Sequence, residues 1–166
     1  MKINSEVALL VRLIDEGFDA RAWHGTPLRG AVRGLTAAQA AWRPAPGRHS
    51  IWEIVVHCAY WKYAVRRRLT GERRGSFALK GSNWFARPTR GEAAKDAAWK
   101  RDVALLLEEH RKLREAIADL KPAVLHRVSR GSRYTPVAFA QGIAAHDLYH
   151  AGQIQLLKTL QRSRVR

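Results

Sequence analysis

His146 and His150 sit four residues apart in the segment His146-Asp147-Leu148-Tyr149-His150. On a helix that spacing stacks two side chains on one face, so both imidazoles can reach one ion. The rest of the face reads Phe139, Ile143, Ile154 and Leu157, which turns the two rings inward. Each ring carries a donor and an acceptor that need partners in an apolar place. A divalent metal would hold both neutral rings at roughly 2.0–2.1 Å and remove that cost. A third ligand is then required. His57 lies between Ile54 and Trp61 at helical spacing, at the edge of an apolar stripe, while His110 sits within another stripe. Spacing prefers His57 only slightly and leaves both open; His24, His49 and His126 fall in loop or turn regions. Three histidines would leave coordination positions free, the pattern of a reactive site. The competing reading is a pair of hydrogen-bonded core histidines, since short motifs also arise by chance.

The neighbours of these histidines have less definite roles. Asp147 follows His146 by about 100° around the helix, so it points off the metal line. It either supports a ligand from behind, as carboxylates often do, or belongs to solvated surface or an internal salt bridge. Gln153, three residues beyond His150, can face the same cavity, and Cys58, beside His57, reads as a buried thiol. The order His-Asp-x-x-His differs from the His-Glu-x-x-His of zinc proteases by a shorter acid, and no histidine follows His150 to serve as a further ligand. No residue is assigned as catalytic acid, base or nucleophile.

Four helical stripes must position these groups. Ile3, Val7, Leu10, Ile14 and Phe18 mark the first, with Gly17 and Gly25 blurring its end. Thr36-Ala-Ala-Gln39 is a capping box that opens a short helical turn. Ser50-Ile-Trp-Glu53 is a second capping box, and it opens a helix carrying Ile51, Ile54, Cys58, Trp61, Val65 and Leu69, with Gly71 placed to end it. The third stripe is Trp99, Val103, Leu106, His110, Leu113, Ile117 and Leu120, closed by Pro122. The fourth opens at Thr135-Pro136 and carries the His146–His150 pair. No segment alternates with period two, so the expectation is an all-α four-helix bundle in a single domain over residues 1–166. The 21 residues from Gly71 to Gly91 exceed the usual ~12–15-residue ceiling for a structureless loop, which points to a functional loop or a small extra element. A link that long also permits a connection other than a tight hairpin.

Composition narrows the classes further. The 166 residues are 46% hydrophobic, enough for a core, and carry a net charge of +16, with 22 of 30 cations being Arg. A single cysteine excludes an intrachain disulfide framework and fits a reducing compartment. No run approaches the ~18 apolar residues of a membrane span. The first apolar stretch, Val7 to Ile14, is interrupted by Arg12, unlike a signal peptide, so a cytoplasmic protein is expected. The charge raises a rival function, nucleic-acid binding. Lys62, Arg66, Arg67, Arg68, Arg73 and Arg74 crowd the end of the second helix, and Arg162, Arg164 and Arg166 end the chain. That rival would be a basic stress protein with a structural or vestigial metal site. The sequence has no recognisable nucleic-acid-binding motif, and its arginines are scattered.

Several stretches together resemble the DinB/YfiT-like superfamily of small bacterial metal-binding bundles. His146-Asp-Leu-Tyr-His-Ala-Gly-Gln-Ile154 is similar to its C-terminal helix motif, and Ala22-Trp-His-Gly-Thr-Pro-Leu-Arg-Gly30 to the segment after its first helix. Trp42-Arg-Pro-Ala-Pro-Gly47 and Ser50-Ile-Trp-Glu-Ile-Val-Val-His57 resemble the approach to its second-helix histidine, and Asn83-Trp84 stands where many members have Asp-Trp. The resemblance implies a four-helix bundle with a metal held by His57, His146 and His150, and so selects His57 over His110. It implies zinc or nickel, with iron or manganese as alternatives, and often a homodimer. Characterised members include transferases that attach low-molecular-weight thiols to electrophiles. A metal-dependent thiol S-transferase or hydrolase acting on a small molecule is therefore the expectation. Asn83 in place of Asp and the strongly basic charge are the departures from the family pattern.

Overall fold

A computed structural model describes residues 5–88, 95–128 and 131–163. Six α-helices follow in order: α1 (Ser5–Phe18), α2 (Leu28–Val32), α3 (Ala37–Ala41), α4 (Ile51–Thr70), α5 (Asp96–Ala118) and α6 (Pro136–Ser163), with a 3₁₀ turn at Pro122–Val124. No strand occurs among the described residues. The chain is all-helical, as its four stripes predict. Ile3, Gly91, Arg164 and Arg166 lie outside the described residues.

The local signals act as read. At α3, Thr36 accepts from the Gln39 amide while the Gln39 side chain accepts from that of Thr36. Ser50 and Glu53 make the same reciprocal pair at α4, and Gly71 ends that helix in the left-handed conformation at φ 76°. Thr135 Oγ1 accepts from the Ala138 amide to open α6. Gly17, whose place was ambiguous, lies inside α1. A Cβ there would come within 3.1 Å of the Ala144 carbonyl oxygen, so its lack of a side chain lets α1 approach α6 closely. The short α2 had no clear signature; it is docked by Lys158, whose Nζ donates to the Ala31 carbonyl at 2.9 Å.

The four long helices pack in a ring in which α4 and α1 each touch both α5 and α6. Near the starts of α4 and α5, the Trp52 indole donates to Asp102 at 2.6 Å and meets Trp99 edge-on. Farther along both helices, Arg66 reaches Glu109. The two helices thus run in the same direction, and the link from Gly71 to Lys95 must travel back along them. That requirement explains its length. By contrast α6 runs against α4, since His57 meets His150 while Arg68 meets Phe139.

The reading of α4 as a one-stripe helix needs correction. Every residue from Ile51 to Ala59 is buried, because α5, α6, α3 and the returning link enclose the helix together. Its core neighbours include Phe77 and Phe85 from that link, which therefore packs as part of the fold. Trp52, fully buried, anchors this layer; truncation to Ala would cost about 3–5 kcal/mol.

Candidate metal centre

His57 stands two turns into α4, and His146 and His150 project from α6 across the contact between these helices. The three rings meet. His146 Nε2 lies 3.1 Å from His57 Nε2 and 3.2 Å from His150 Nε2, and each residue offers a nitrogen within 4.8 Å of the others. Two imidazole nitrogens held by one tetrahedral ion at 2.0–2.1 Å stand roughly 3.3 Å apart, so the spacing suits a shared ion. His110, the other candidate, lies elsewhere. It stacks on Phe18 at 3.7 Å between centroids and has no part in the cluster.

Hydrogen bonds fix which nitrogen each ring presents. His57 Nδ1 donates to the Asn83 carbonyl at 2.9 Å, and His150 Nδ1 donates to Gln153 Oε1 at 2.7 Å. Both rings therefore carry their proton on Nδ1 and turn an Nε2 lone pair inward. His146 Nε2 has at most one proton to offer two facing lone pairs. Its Nδ1 is buried with no hydrogen-bond partner among the described residues. A divalent cation would satisfy all three Nε2 atoms at once, and the donor set is the one such an ion prefers.

Burial prepares the rings electrostatically. Desolvation lowers His57, and lowers His146 to about 3 and His150 to about 4, with the neighbouring imidazoles adding to the effect. All three are neutral at pH 7, the form in which imidazole binds a metal.

The returning link supplies much of the surrounding frame. Asn83 adopts φ 62°, a conformation that Asn tolerates better than most residues. Its carbonyl holds His57 while its side-chain oxygen accepts from the Trp61 indole at 3.0 Å. Trp84 lies flat between His57, 3.9 Å away, and His49, 3.6 Å away. The long link, expected to be a functional loop or a small extra element, thus contacts His57 through Asn83 and Trp84. The Asn83 contact with His57 runs through a backbone atom and left no trace in the sequence, and the placement of His49 in a loop gave no hint of its stacking.

Asp147 takes the internal-salt-bridge alternative. It pairs with Lys62, and each side chain is 1% exposed. Burial lifts the Asp147 carboxyl to about 6 against the opposing pull of Lys62. Lys62 therefore leaves the basic cluster to which its charge assigned it. Its position offered a signal, four residues after Cys58 and three before Val65 on the apolar stripe. Arg66 leaves too, engaged by Glu72 and Glu109. Cys58 lies near His146 and Asp147, but complete burial pushes its thiol well above the ordinary range, keeping it protonated.

Beside His146 opens a groove of about 490 Å³ between α4 and α6, lined largely by apolar side chains. Among the described residues its lining contains no acid. Among the described residues no helix is long and apolar enough to cross a membrane.

Comparison with curated proteins gives no match, and comparison with solved structures gives none either. The family model of the DinB superfamily matches residues 21–154, a span that contains α2 to α5 and all three converging histidines, and the chain belongs to that superfamily.

Proposed function

We propose that His57, His146 and His150 hold a divalent metal ion, zinc or nickel before iron or manganese, and that the protein is a metal-dependent thiol S-transferase acting on a small molecule. The observation that carries the reading is the meeting of three Nε2 atoms, two of them with their lone pairs turned inward by bonds at Nδ1. When bound, such an ion lowers the pKa of a thiol or water at neutral pH. Transfer then requires the thiol to lose its proton to solvent. Its sulfur lone pair forms the new carbon–sulfur bond, and the displaced group leaves with the bonding pair.

The chain's own residues bear on the choice between transfer and hydrolysis. Hydrolysis at a histidine-bound metal commonly draws on a nearby carboxylate as general base. Among the described residues the groove has no acid in its lining, and Asp147, beside the histidines, is buried against Lys62. A thiol needs less help, being far more acidic than water, and this supports the transferase reading over the hydrolase. The cavity beside His146 offers room for a small substrate.

Two measurements test this. Elemental analysis of tag-free protein should find close to one metal per chain, and none in a His57→Ala, His146→Ala, His150→Ala triple variant. A panel of low-molecular-weight thiols and model electrophiles should then show turnover that needs the metal. A parent that stays empty after equilibration with each metal sinks the site. Metal without metal-dependent turnover on any pair sinks the transferase.

A further inference from the structure

The groove beside His146 has a direction. On α4 its wall is built from Trp61, Val65 and Arg68, spaced four and three residues apart along one face. Phe139, Ile143 and His146 form the facing wall on α6 with the reverse order, because the helices are antiparallel. Trp61 faces His146 at one end, with ring centroids 6.2 Å apart, and the Arg68 guanidinium lies 5.9 Å over the Phe139 ring at the other. Seven residues of helix separate the ends, roughly 10 Å at the α-helical rise.

Charge is confined to the end far from the histidines. Among the described residues Arg68 is the one ionised side chain in the lining. Its Nη1 donates to the Ala64 carbonyl at 3.0 Å, and no acid pairs with it among the described residues. By contrast Arg66, two residues earlier, hydrogen-bonds Glu72 and lies 3.6 Å from Glu109. Gly142, an exposed residue of the lining, leaves open space where an added Cβ would meet nothing within 4 Å. An apolar channel with a planar cation at one end, paired with no acid among the described residues, is complementary to a molecule with an apolar body and one anionic end.

We propose that this groove binds an elongated small molecule with an apolar body about 10 Å long and a terminal carboxylate held by Arg68, so that the opposite, reacting end lies against His146. The assignment of a reacting end rests on the metal-site reading above; the binding itself does not. It names the substrate class as an apolar carboxylic acid functionalised at its far end, and makes Arg68 its specificity-determining residue.

Octanoate and octanol, which share a body and differ in charge, serve as probes on metal-free protein. Calorimetry should find octanoate bound about tenfold more tightly than octanol, the gain of one charge-assisted contact. Arg68→Gln should abolish that preference and leave octanol within about twofold of its parent affinity. Gly142→Leu, which puts a side chain on the groove's lining and replaces a poor helix former, should weaken both probes. Intermolecular NMR contacts should join the octanoate methyl to the His146 and Trp61 rings, and its first methylene to Phe139. Equal affinity for the two probes overturns the proposal, as does a preference that survives in Arg68→Gln, binding of neither probe, or the reversed set of NMR contacts. Zinc uptake by the same preparations is read separately. Protein that discriminates the probes but takes no zinc defeats the metal reading alone, whereas protein that takes zinc without discriminating defeats the groove alone.

Discussion

His57 and His150 on one side and His110 on the other occupy equivalent places in the sequence pattern, on the inward faces of long helices, and all three are buried. Desolvation depresses all three, His110 to about 2. The difference lies in their hydrogen bonds. His57 and His150 are each held at Nδ1, by the Asn83 carbonyl and by Gln153, so that Nε2 converges on His146. Among the described residues neither nitrogen of His110 has a hydrogen-bond partner, and Asp15 Oδ1 stands 3.7 Å away, too far for one. Its ring packs face to face on Phe18 instead. Burial alone therefore does not make a candidate ligand. A bond that fixes one nitrogen and aims the other does.

The largest expected effect breaks this contrast most directly. Replacing any one of His57, His146 or His150 by Ala should weaken zinc binding by more than the about 10–100-fold typical of losing an outer partner. His110→Ala should leave zinc content unchanged while lowering stability, because it empties the space against Phe18. Competition titration against a chromophoric chelator, run beside thermal melts, reads both. Zinc loss in His110→Ala of the same size as in His146→Ala would erase the distinction.

A milder change sharpens it. Gln153→Ala removes the acceptor from His150 Nδ1 and leaves the ligand nitrogen in place. Zinc affinity should fall by about 10–100-fold, with little change in the melting temperature of metal-free protein, since Gln153 is only half-buried. Retention of parent affinity would show that packing, not this bond, orients His150.

Acid unfolding examines the other half. The unfolded chain takes up a proton at His110 near pH 6.5, whereas the folded protein resists until about 2. Between those values the unfolded state binds more protons, so stability rises with pH and is lost as pH falls through the window. This residue's share has a limiting slope of about 1.4 kcal/mol per pH unit. His110→Leu removes that share and two unpartnered nitrogens. Urea titrations of metal-free protein at several pH values should give a shallower acid slope in the variant, with the triad's own contribution remaining. Equal slopes would mean that His110 is solvated or paired in solution.

The legible parts of this molecule were those written in local side-chain chemistry. Capping residues at Thr36, Ser50 and Thr135, the left-handed Gly71 and the apolar spacing of α1, α4, α5 and α6 each state a local preference that the fold obeys. The His146–His150 pair was legible for the same reason, four residues being one turn. Choosing His57 over His110 was not, because both satisfy the same periodicity and only tertiary contacts separate them; resemblance to a family supplied that choice. Lys62 was misread since charge was weighed above its place on the stripe, and it is buried against Asp147. The support of His57 by a carbonyl could not have been read at all, since every residue has one.

That carbonyl gives the smallest expected effect. Asn83 departs from the Asp common at this position in the resembling family, yet the atom that holds His57 is its backbone oxygen. Its side chain acts one step away, accepting from the Trp61 indole. An Asp oxygen accepts from that indole equally well, and Asp shares Asn's tolerance of the left-handed conformation. Asn83→Asp should therefore change zinc affinity by no more than about threefold, toward tighter binding because a negative charge is added near the ion. Asn83→Ala loses both the indole bond and the conformational tolerance, and should cost about 1 kcal/mol of stability. Both are read by the same titrations and melts used for the histidines. A tenfold loss of zinc in Asn83→Asp would place control of His57 in the side chain, and the contrast with His110 would then rest on chemistry that the sequence does display.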